Sequence, residues 1–132
     1  MDLSSVLHES KSYLAYASGG KDYTFRVRSK AGDLKGIVFF YGDTAFPAPE
    51  VPFLRLQMKR VFSGSIYDYF EINVTTDIVR LVYGFELLGS DGGKVFYYGE
   101  RFHETLSPER NDYFKFPYNR KDELPKIPRW LS

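Results

Sequence analysis

Residues 66–102 read IYDYFEINVTTDIVRLVYGFELLGSDGGKVFYYGERF, and this stretch decides the fold. It contains three apolar runs separated by two turn signals. In the first run Phe70, Ile72 and Val74 occupy every second position. Because successive side chains of a strand point to opposite faces of a sheet, this spacing predicts a strand with one buried face.

The second apolar run continues the alternation. Its apolar residues are Val79, Leu81, Tyr83, Phe85 and Leu87. Arg80 and Glu86 fall on the opposite face, Thr76-Asp77 marks one reversal, and the SDGG sequence at 90–93 supplies the positive-φ residues of a hairpin turn. We therefore predict an antiparallel meander at the centre of a β-sandwich. The residues expected to point into its core are Phe70, Ile72, Val74, Leu81, Tyr83 and Phe85.

The composition fits one all-β domain. A chain of 132 residues removes roughly two-thirds of its unfolded surface from water. Phe, Tyr and Trp make up 18% of it, and these rings suit the half-buried surface of a sheet. The net charge is +1, which gives no strong field to recruit nucleic acid or an anionic membrane. The chain has no cysteine and therefore no disulfide framework.

Other parts of the chain also have strand patterns, and we expect about eight strands in all. These patterns cover residues 23–30, 36–41, 54–62 and 113–118. The segment 54–62 alternates only moderately and also fits one or two helical turns, but a strand is the favoured interpretation. Residues 42–52 contain three prolines and predict a long surface loop. Residues 107–110 (SPER) predict one capped helical turn.

Few residues are placed for catalysis. His8 and His103 lack the spacing of a zinc site and are interpreted as surface or strand-edge residues. Glu100 and Glu104 could be imagined as a glycosidase pair, but solvated charges are the simpler interpretation. We predict no catalytic residue, no metal site and no cofactor in this chain.

The aromatic side chains are the main candidates for binding a ligand. Tyr and Phe can stack on the apolar faces of sugar rings. The runs at 39–41 (FFY) and 96–98 (FYY) are aromatic on both faces, so half of their rings lie outside the sandwich. Those rings either cover a surface between domains or subunits, or bind a ligand.

The residues at the two ends of the chain lead to two further predictions. The polar start, MDLSSVLHESKSY, has no signal-peptide pattern and predicts a soluble cytoplasmic protein without a membrane partner, although secretion after removal of a signal stays open. Trp130 is the third residue from the end, where a terminus is usually polar. It either packs back on this domain or precedes a further domain.

An ordered set of short motifs runs through the whole chain. They are His8-Glu9, SYLAY at 12–16, FRVR at 25–28, Gly32-Asp33, YGD at 41–43, YDYF at 67–70, VYGF at 82–85, YYGE at 97–100 and PRWL at 128–131. Together they resemble the N-terminal domain of cyclomaltodextrinases, neopullulanases and maltogenic amylases. The resemblance implies an immunoglobulin-like β-sandwich, of the family 34 carbohydrate-binding module type, in front of a family 13 α-amylase-type barrel. It divides the chain into a sandwich at 1–122 and an extended linker at 123–132.

The resemblance also implies a role. In those enzymes the domain helps form a homodimer and borders the partner's active site, and in some relatives it binds starch. The catalytic acids lie in the barrel, so the chain itself is expected not to hydrolyse α-1,4 or α-1,6 glucans. Its partners would be its own catalytic domain, a second full-length subunit and α-glucan oligosaccharides.

The candidate site is the loop at 42–52. Asp43, Phe46 and Glu50 form its substrate- or partner-facing part, with Phe46 as the sugar-facing ring, or alternatively as a cap on the open end of the sandwich. Tyr41 anchors the base of the loop, together with Asp43, and Trp130 belongs to the inter-domain exit. Relatives often carry an aromatic where this chain has Thr44 and Ala45. The alternative function is a free-standing carbohydrate-binding or immunoglobulin-like interaction module.

Overall fold

The computed structural model describes residues 1–10, 12–47 and 51–116, and nearly all of its regular structure is β-strand. The strands are β1 (Ala15–Gly19), β2 (Asp22–Lys30), β3 (Leu34–Asp43), β4 (Leu54–Gln57), β5 (Lys59–Ser63), β6 (Tyr67–Thr75), β7 (Leu81–Gly89), β8 (Lys94–Tyr98), β9 (Arg101–His103) and β10 (Phe114–Phe116). Short 3-10 helices span Leu3–Ser5 and Arg110–Asp112. Within these residues no helix has the length and apolar character needed to cross a bilayer.

The strands form two antiparallel sheets. The four-stranded sheet has the order β1-β2-β6-β5. The six-stranded sheet has the order β4-β3-β7-β8-β9, and β10 also pairs with β7. Strands β8 and β10 follow one another along the same side of β7, since β8 pairs with residues 85–88 and β10 with residues 81–83. The predicted all-β, immunoglobulin-like sandwich is confirmed, with ten strands in the described residues where the sequence predicts about eight.

The core between the sheets is built largely from aromatic rings. The ring of Phe25 in β2 stacks on that of Phe39 in β3 with centroids 4.6 Å apart, and Tyr83 of β7 lies at the same distance from Phe25. The predicted core residues Phe70, Val74, Leu81, Tyr83 and Phe85 are buried, and Ile72 is half-buried against the same core. Burying each large apolar side chain stabilises the fold by about 1.5–3 kcal/mol.

The predicted single meander over residues 66–102 is wrong in one respect. Strand β6 pairs with β2 and β5, whereas β7 pairs with β3 and β8, so residues 76–80 carry the chain from one sheet to the other. Val79 lies in this connection and is 76% exposed, because β7 begins only at Leu81. The alternation in the sequence therefore extends one repeat beyond the strand, and the meander consists of β7, β8 and β9.

The segment 54–62 also differs from the predicted single strand. It splits into β4 and β5, which belong to different sheets. Met58 lies at the break, is 4% exposed and donates its backbone N–H to the Ile37 carbonyl at 2.9 Å. One buried residue thus anchors the point where the edge of the sandwich changes sheets, which explains why the alternation is only moderate.

His8 is a core residue and not the predicted surface histidine. It is 1% exposed, and its ring lies edge-on to Phe85 and Phe114 with centroids 4.7 and 4.9 Å away. Both ring nitrogens have partners, Nδ1 with the Arg26 carbonyl at 2.7 Å and Nε2 with the Tyr83 hydroxyl at 2.8 Å. These hydrogen bonds offset the cost of burying a polar ring.

Candidate functional site

A tight turn follows the end of β3 and forms the described start of the 42–52 loop. The Asp43 carboxylate accepts a hydrogen bond from the Ala45 N–H at 2.9 Å, and the Asp43 carbonyl accepts one from the Phe46 N–H at 3.1 Å. Thr44 donates its N–H to the Arg80 carbonyl at 3.1 Å. An aspartate at such a position is typical, because its short carboxylate can bond the backbone two residues ahead.

Tyr41 and Phe46 occupy opposite environments on this element. Tyr41 is 7% exposed, lies within β3 opposite Tyr83, and its ring stacks on that of Phe39 with centroids 5.5 Å apart. Phe46 is 37% exposed and does not belong to the core. The structure therefore places one ring in the sandwich at the base of the loop and the other at its surface.

The returning part of the loop packs on the outer face of the six-stranded sheet. Val51 lies so close to Gly42 that a Cβ on Gly42 would be 2.4 Å from the Val51 Cγ1, so only glycine fits there. The ring of Phe53 packs edge-on against Phe40 and Tyr113, with both centroid distances 5.0 Å. The loop is thus held against the sheet at both of its described ends.

The outer face of this sheet carries a second set of rings, which we call the outer aromatic cluster. Its members are Phe40, Phe53, Phe96, Tyr98 and Tyr113. Phe40 and Tyr98 are almost fully buried although they point away from the sandwich core. The sequence alone leaves open what covers such rings. For these two the cover is the chain itself, since Phe53 and Tyr113 lie over them.

A cleft of about 290 Å³ opens between the loop and the segment that precedes β10. Its lining consists of Val51, Phe53, Leu106, Ser107, Pro108, Arg110 and Tyr113. Arg110 connects the two walls, because its Nη1 donates to the carbonyls of Thr44 and Phe46 at 2.5 and 2.7 Å. The cleft therefore combines an aromatic floor with a guanidinium whose Nη1 is hydrogen-bonded to two backbone carbonyls.

The hydroxyl groups of this region stay protonated. Burial raises the pKa of Tyr113 to about 12, and the Tyr113 hydroxyl donates to the Ser107 carbonyl at 2.6 Å. Burial also raises the pKa of Tyr98, whose hydroxyl donates to the Thr105 carbonyl at 2.6 Å. Both hydroxyls serve to fix the 104–113 segment.

The described residues contain no group of three or more His, Cys, Asp or Glu side chains that could hold a metal ion. Glu100 and Glu104 are exposed, and His103 stacks on Tyr98 with centroids 3.8 Å apart. Two predicted site residues, Glu50 and Trp130, and the domain boundary at 122 lie outside the described residues.

Arg110 and the cleft are features that the sequence pattern missed. The predicted helical turn at 107–110 forms three residues later, as the 3-10 helix Arg110–Asp112. The predicted serine cap is wrong: the Ser107 hydroxyl accepts the Glu109 N–H at 3.1 Å, but Glu109 is itself the N-cap of this helix and makes no side-chain cap hydrogen bond. No pattern in the sequence connects Arg110 to a turn that lies 66 residues earlier along the chain.

Two antiparallel sheets around an aromatic core, with most of the connections at their two ends, define an immunoglobulin-like β-sandwich domain. The sequence model of the family described as "Alpha amylase, N-terminal ig-like domain" matches residues 1–120. The chain belongs to this family.

Individual relatives agree with this assignment. The chain is 28% identical over 129 residues to a maltogenic alpha-amylase from Bacillus acidopullulyticus, and 30% identical over 134 residues to neopullulanase 2 from Thermoactinomyces vulgaris. These alignments cover 97% and 100% of the chain, but only 22% of either relative. The fold is similar to part of a solved cyclomaltodextrinase, with a TM-score of 0.79 and 23% identity over 99% of this chain and 22% of that one.

Proposed function

We propose that this chain is the N-terminal accessory domain of a glycoside hydrolase that acts on α-1,4 and α-1,6 glucans. The family assignment and relatives named maltogenic alpha-amylase and neopullulanase support this class of parent protein. The chain matches only 22% of those relatives, so hydrolysis belongs to a catalytic domain outside it. A purified 132-residue chain is expected to release no sugar from β-cyclodextrin or maltotriose.

We further propose that the 42–52 loop frames the active site of a neighbouring subunit in a homodimer, with Phe46 against the sugar. The observation that carries this proposal is the exposure of Phe46 on a turn whose backbone is already fixed by Asp43, Arg80 and Arg110. A ring on a preordered turn loses little entropy when it is held against a partner. The three prolines of the loop act in the same direction.

The other predicted residues take supporting roles in this proposal. Tyr41 and Asp43 hold the base of the loop, Glu50 belongs to its partner-facing part, and Trp130 lies at the junction with the catalytic domain. The protein acts in the cytoplasm on α-glucan oligosaccharides, without nucleic acid or membrane partners and without a cofactor of its own.

A second candidate is a free-standing carbohydrate-binding module. The cleft beside the loop favours it, because Phe53 and Tyr113 provide an apolar floor next to polar groups. The coding sequence downstream of Ser132 distinguishes the two candidates. A catalytic barrel encoded there supports the accessory domain, and its absence supports the module.

The framing role is tested by Phe46→Ala in the intact parent protein. The matched control is Phe62→Ala, because Phe62 is 46% exposed but lies on β5, toward the opposite end of the sandwich. The ratio of kcat/KM on a large glucan to kcat/KM on maltotriose should change at least about fivefold in Phe46→Ala, equivalent to roughly 1 kcal/mol. The ratio should stay constant in the control.

The midpoint of thermal unfolding distinguishes a role of Phe46 in framing the active site from a role in packing the sandwich. If Phe46 serves the site, its removal should leave the midpoint within the range of the control variant. An unchanged substrate ratio together with a midpoint several degrees lower would mean that Phe46 only caps the sandwich.

A further inference from the structure

The backbone N–H groups of the turn that presents Phe46 are hydrogen-bonded to nearby residues. Thr44 donates its N–H to the Arg80 carbonyl. Ala45 donates its N–H to the Asp43 carboxylate, and Phe46 donates its N–H to the Asp43 carbonyl. The carbonyl groups of Thr44 and Phe46 take their hydrogen-bond donor from another element, across a part-buried and an exposed hydrogen bond.

Arg110 supplies that donor. Its Nη1 donates to the Thr44 carbonyl at 2.5 Å and to the Phe46 carbonyl at 2.7 Å. A guanidinium is permanently charged and planar, and hydrogen bonds from a charged donor are about twice as strong as neutral ones. Because one rigid guanidinium holds both carbonyls, it fixes the orientation of the turn.

Arg110 is itself anchored to the six-stranded sheet. The Arg110 carbonyl accepts the Tyr113 N–H at 3.4 Å, and the ring of Tyr113 lies in the outer aromatic cluster, 4.5 Å from that of Tyr98. The Ser107 carbonyl accepts the Tyr113 hydroxyl, and the Ser107 hydroxyl donates to the Asp112 carboxylate at 2.5 Å. A continuous set of contacts therefore runs from the outer face of the sheet through Arg110 to the turn.

We propose that Arg110 is a positioning residue that sets the conformation of residues 44–46 and thereby the orientation of the Phe46 ring. The conformational part stands on the geometry alone, while the consequence for catalysis rests on the proposed framing role of Phe46. The competing explanation is that the prolines of the loop and the Asp43 bonds suffice, in which case Arg110 is dispensable.

The conformational part is tested by amide hydrogen exchange in the 132-residue chain. Arg110→Met removes the donor but keeps much of the side-chain volume. The matched control is Arg80→Met at the base of the same turn, because among the described residues the Arg80 side chain is exposed and only the Arg80 carbonyl bonds the turn. Exchange of the Ala45 and Phe46 amides should accelerate at least about tenfold in Arg110→Met, while the amides of β3 and β7 keep their protection.

Three results would overturn this part: unchanged exchange at Ala45 and Phe46, the same acceleration in every strand, or an equal effect of Arg80→Met. If Arg110→Met does not fold, Arg110→Lys replaces it. A lysine ammonium keeps the charge but has no planar fork, so exchange at the two amides should lie between the wild-type and fully released rates.

The catalytic part is tested in the intact parent protein with Phe46→Ala, Arg110→Met and the double variant. Arg110→Met should change the substrate ratio in the same direction as Phe46→Ala, and the double variant should add nothing further, because both act through one ring. If Phe46→Ala changes the ratio and Arg110→Met does not, the positioning role is wrong and the framing role stands. If neither changes the ratio although exchange is accelerated, the framing role fails and Arg110 only orders the turn.

Discussion

The imidazole of His8 and the hydroxyl of Tyr83 share a buried hydrogen bond of 2.8 Å. The other ring nitrogen, Nδ1, lies 2.7 Å from the Arg26 carbonyl oxygen, which can only accept, so Nδ1 carries the proton. Nε2 is then the acceptor, Tyr83 donates to it, and the Ser10 hydroxyl donates to the Tyr83 oxygen at 3.0 Å. In the neutral ring both nitrogens are thus bonded, and burial disfavours the charged ring by lowering the His8 pKa.

The stability of the domain should fall in mild acid because of this histidine. Burial lowers the pKa of His8 from 6.5 to about 4, and the Arg26 carbonyl offsets only part of this. Between these two values the unfolded chain binds a proton that the folded chain does not. The contribution of His8 to the unfolding free energy should therefore level off above pH 6.5 and decrease by about 3 kcal/mol as the pH falls to 4. Urea unfolding at about pH 7 and about pH 4.5 measures the loss.

Two controls assign this loss to His8. His103→Gln removes the other histidine and should leave the pH dependence in place, whereas His8→Gln should flatten it at a lower overall stability. The carboxyl groups of Asp2 and Asp91 have pKa values lowered from 3.8 by hydrogen bonds, so their contribution is lost only below that pH. An undiminished pH dependence in His8→Gln would contradict the assignment.

Gly84 should not tolerate a side chain. A Cβ at this position would lie 2.5 Å from Cζ of Phe40 and 3.0 Å from Cβ of Tyr98, and both of these residues are buried. Gly84→Ala should therefore destabilise the domain by about 1–3 kcal/mol, the usual cost of overpacking a core. Gly36→Ala in β3 is the control, because its Cβ would meet only the flexible ends of Gln57 and Leu88. Equal unfolding midpoints for the two variants would show that the outer aromatic cluster is loosely packed.

Truncation of one buried and one exposed apolar residue tests the corrected strand boundaries. Phe70→Ala should cost about 3–5 kcal/mol of unfolding free energy, because the side chain is 2% exposed in the core. Val79→Ala, in the connection between β6 and β7, should change it by less than about 0.5 kcal/mol. Denaturant titration measures both. A large loss at Val79 would restore the longer strand that the alternation predicts.

The two truncations also show how far the sequence determines this fold. Period-two alternation correctly predicts β2, β6 and β7 and most of the core, and the run at 36–41 that is apolar on both faces predicts β3, because such patterns are local properties of a strand. It does not show which sheet a strand joins. The change of sheet between β6 and β7, and the break at Met58, depend on partners that are distant in sequence.

The candidate site is predictable only in part, for the same reason. Three prolines predict a surface loop at 42–52, whereas the anchoring of its base by Tyr41 and Asp43 is implied only by the family resemblance and stays a prediction. His8 and Arg110 look ordinary in the sequence, yet one lies in the core and the other holds the turn of Phe46. Their roles depend on contacts across the fold, which composition and spacing do not encode.

The isolated chain should bind soluble α-glucans weakly or not at all. Strong stacking on a sugar needs neighbouring exposed rings. Among the described residues only Phe46 and Phe62 are exposed aromatics, and they lie toward opposite ends of the sandwich. The rings of Phe40 and Tyr98 are covered by the chain itself. Calorimetric titration with β-cyclodextrin should therefore give a Kd in the millimolar range, about −4 kcal/mol, or no heat at all.

Variants make this titration decisive. If the residual affinity comes from the cleft beside the loop, Phe53→Leu should weaken it, because one of the two floor rings is lost while most of the apolar volume stays. Phe62→Ala, on the other edge of the sandwich, should leave the affinity unchanged. A micromolar Kd for the unaltered chain would contradict the framing role as the main function, because such affinity needs no catalytic partner and fits a free-standing carbohydrate-binding module.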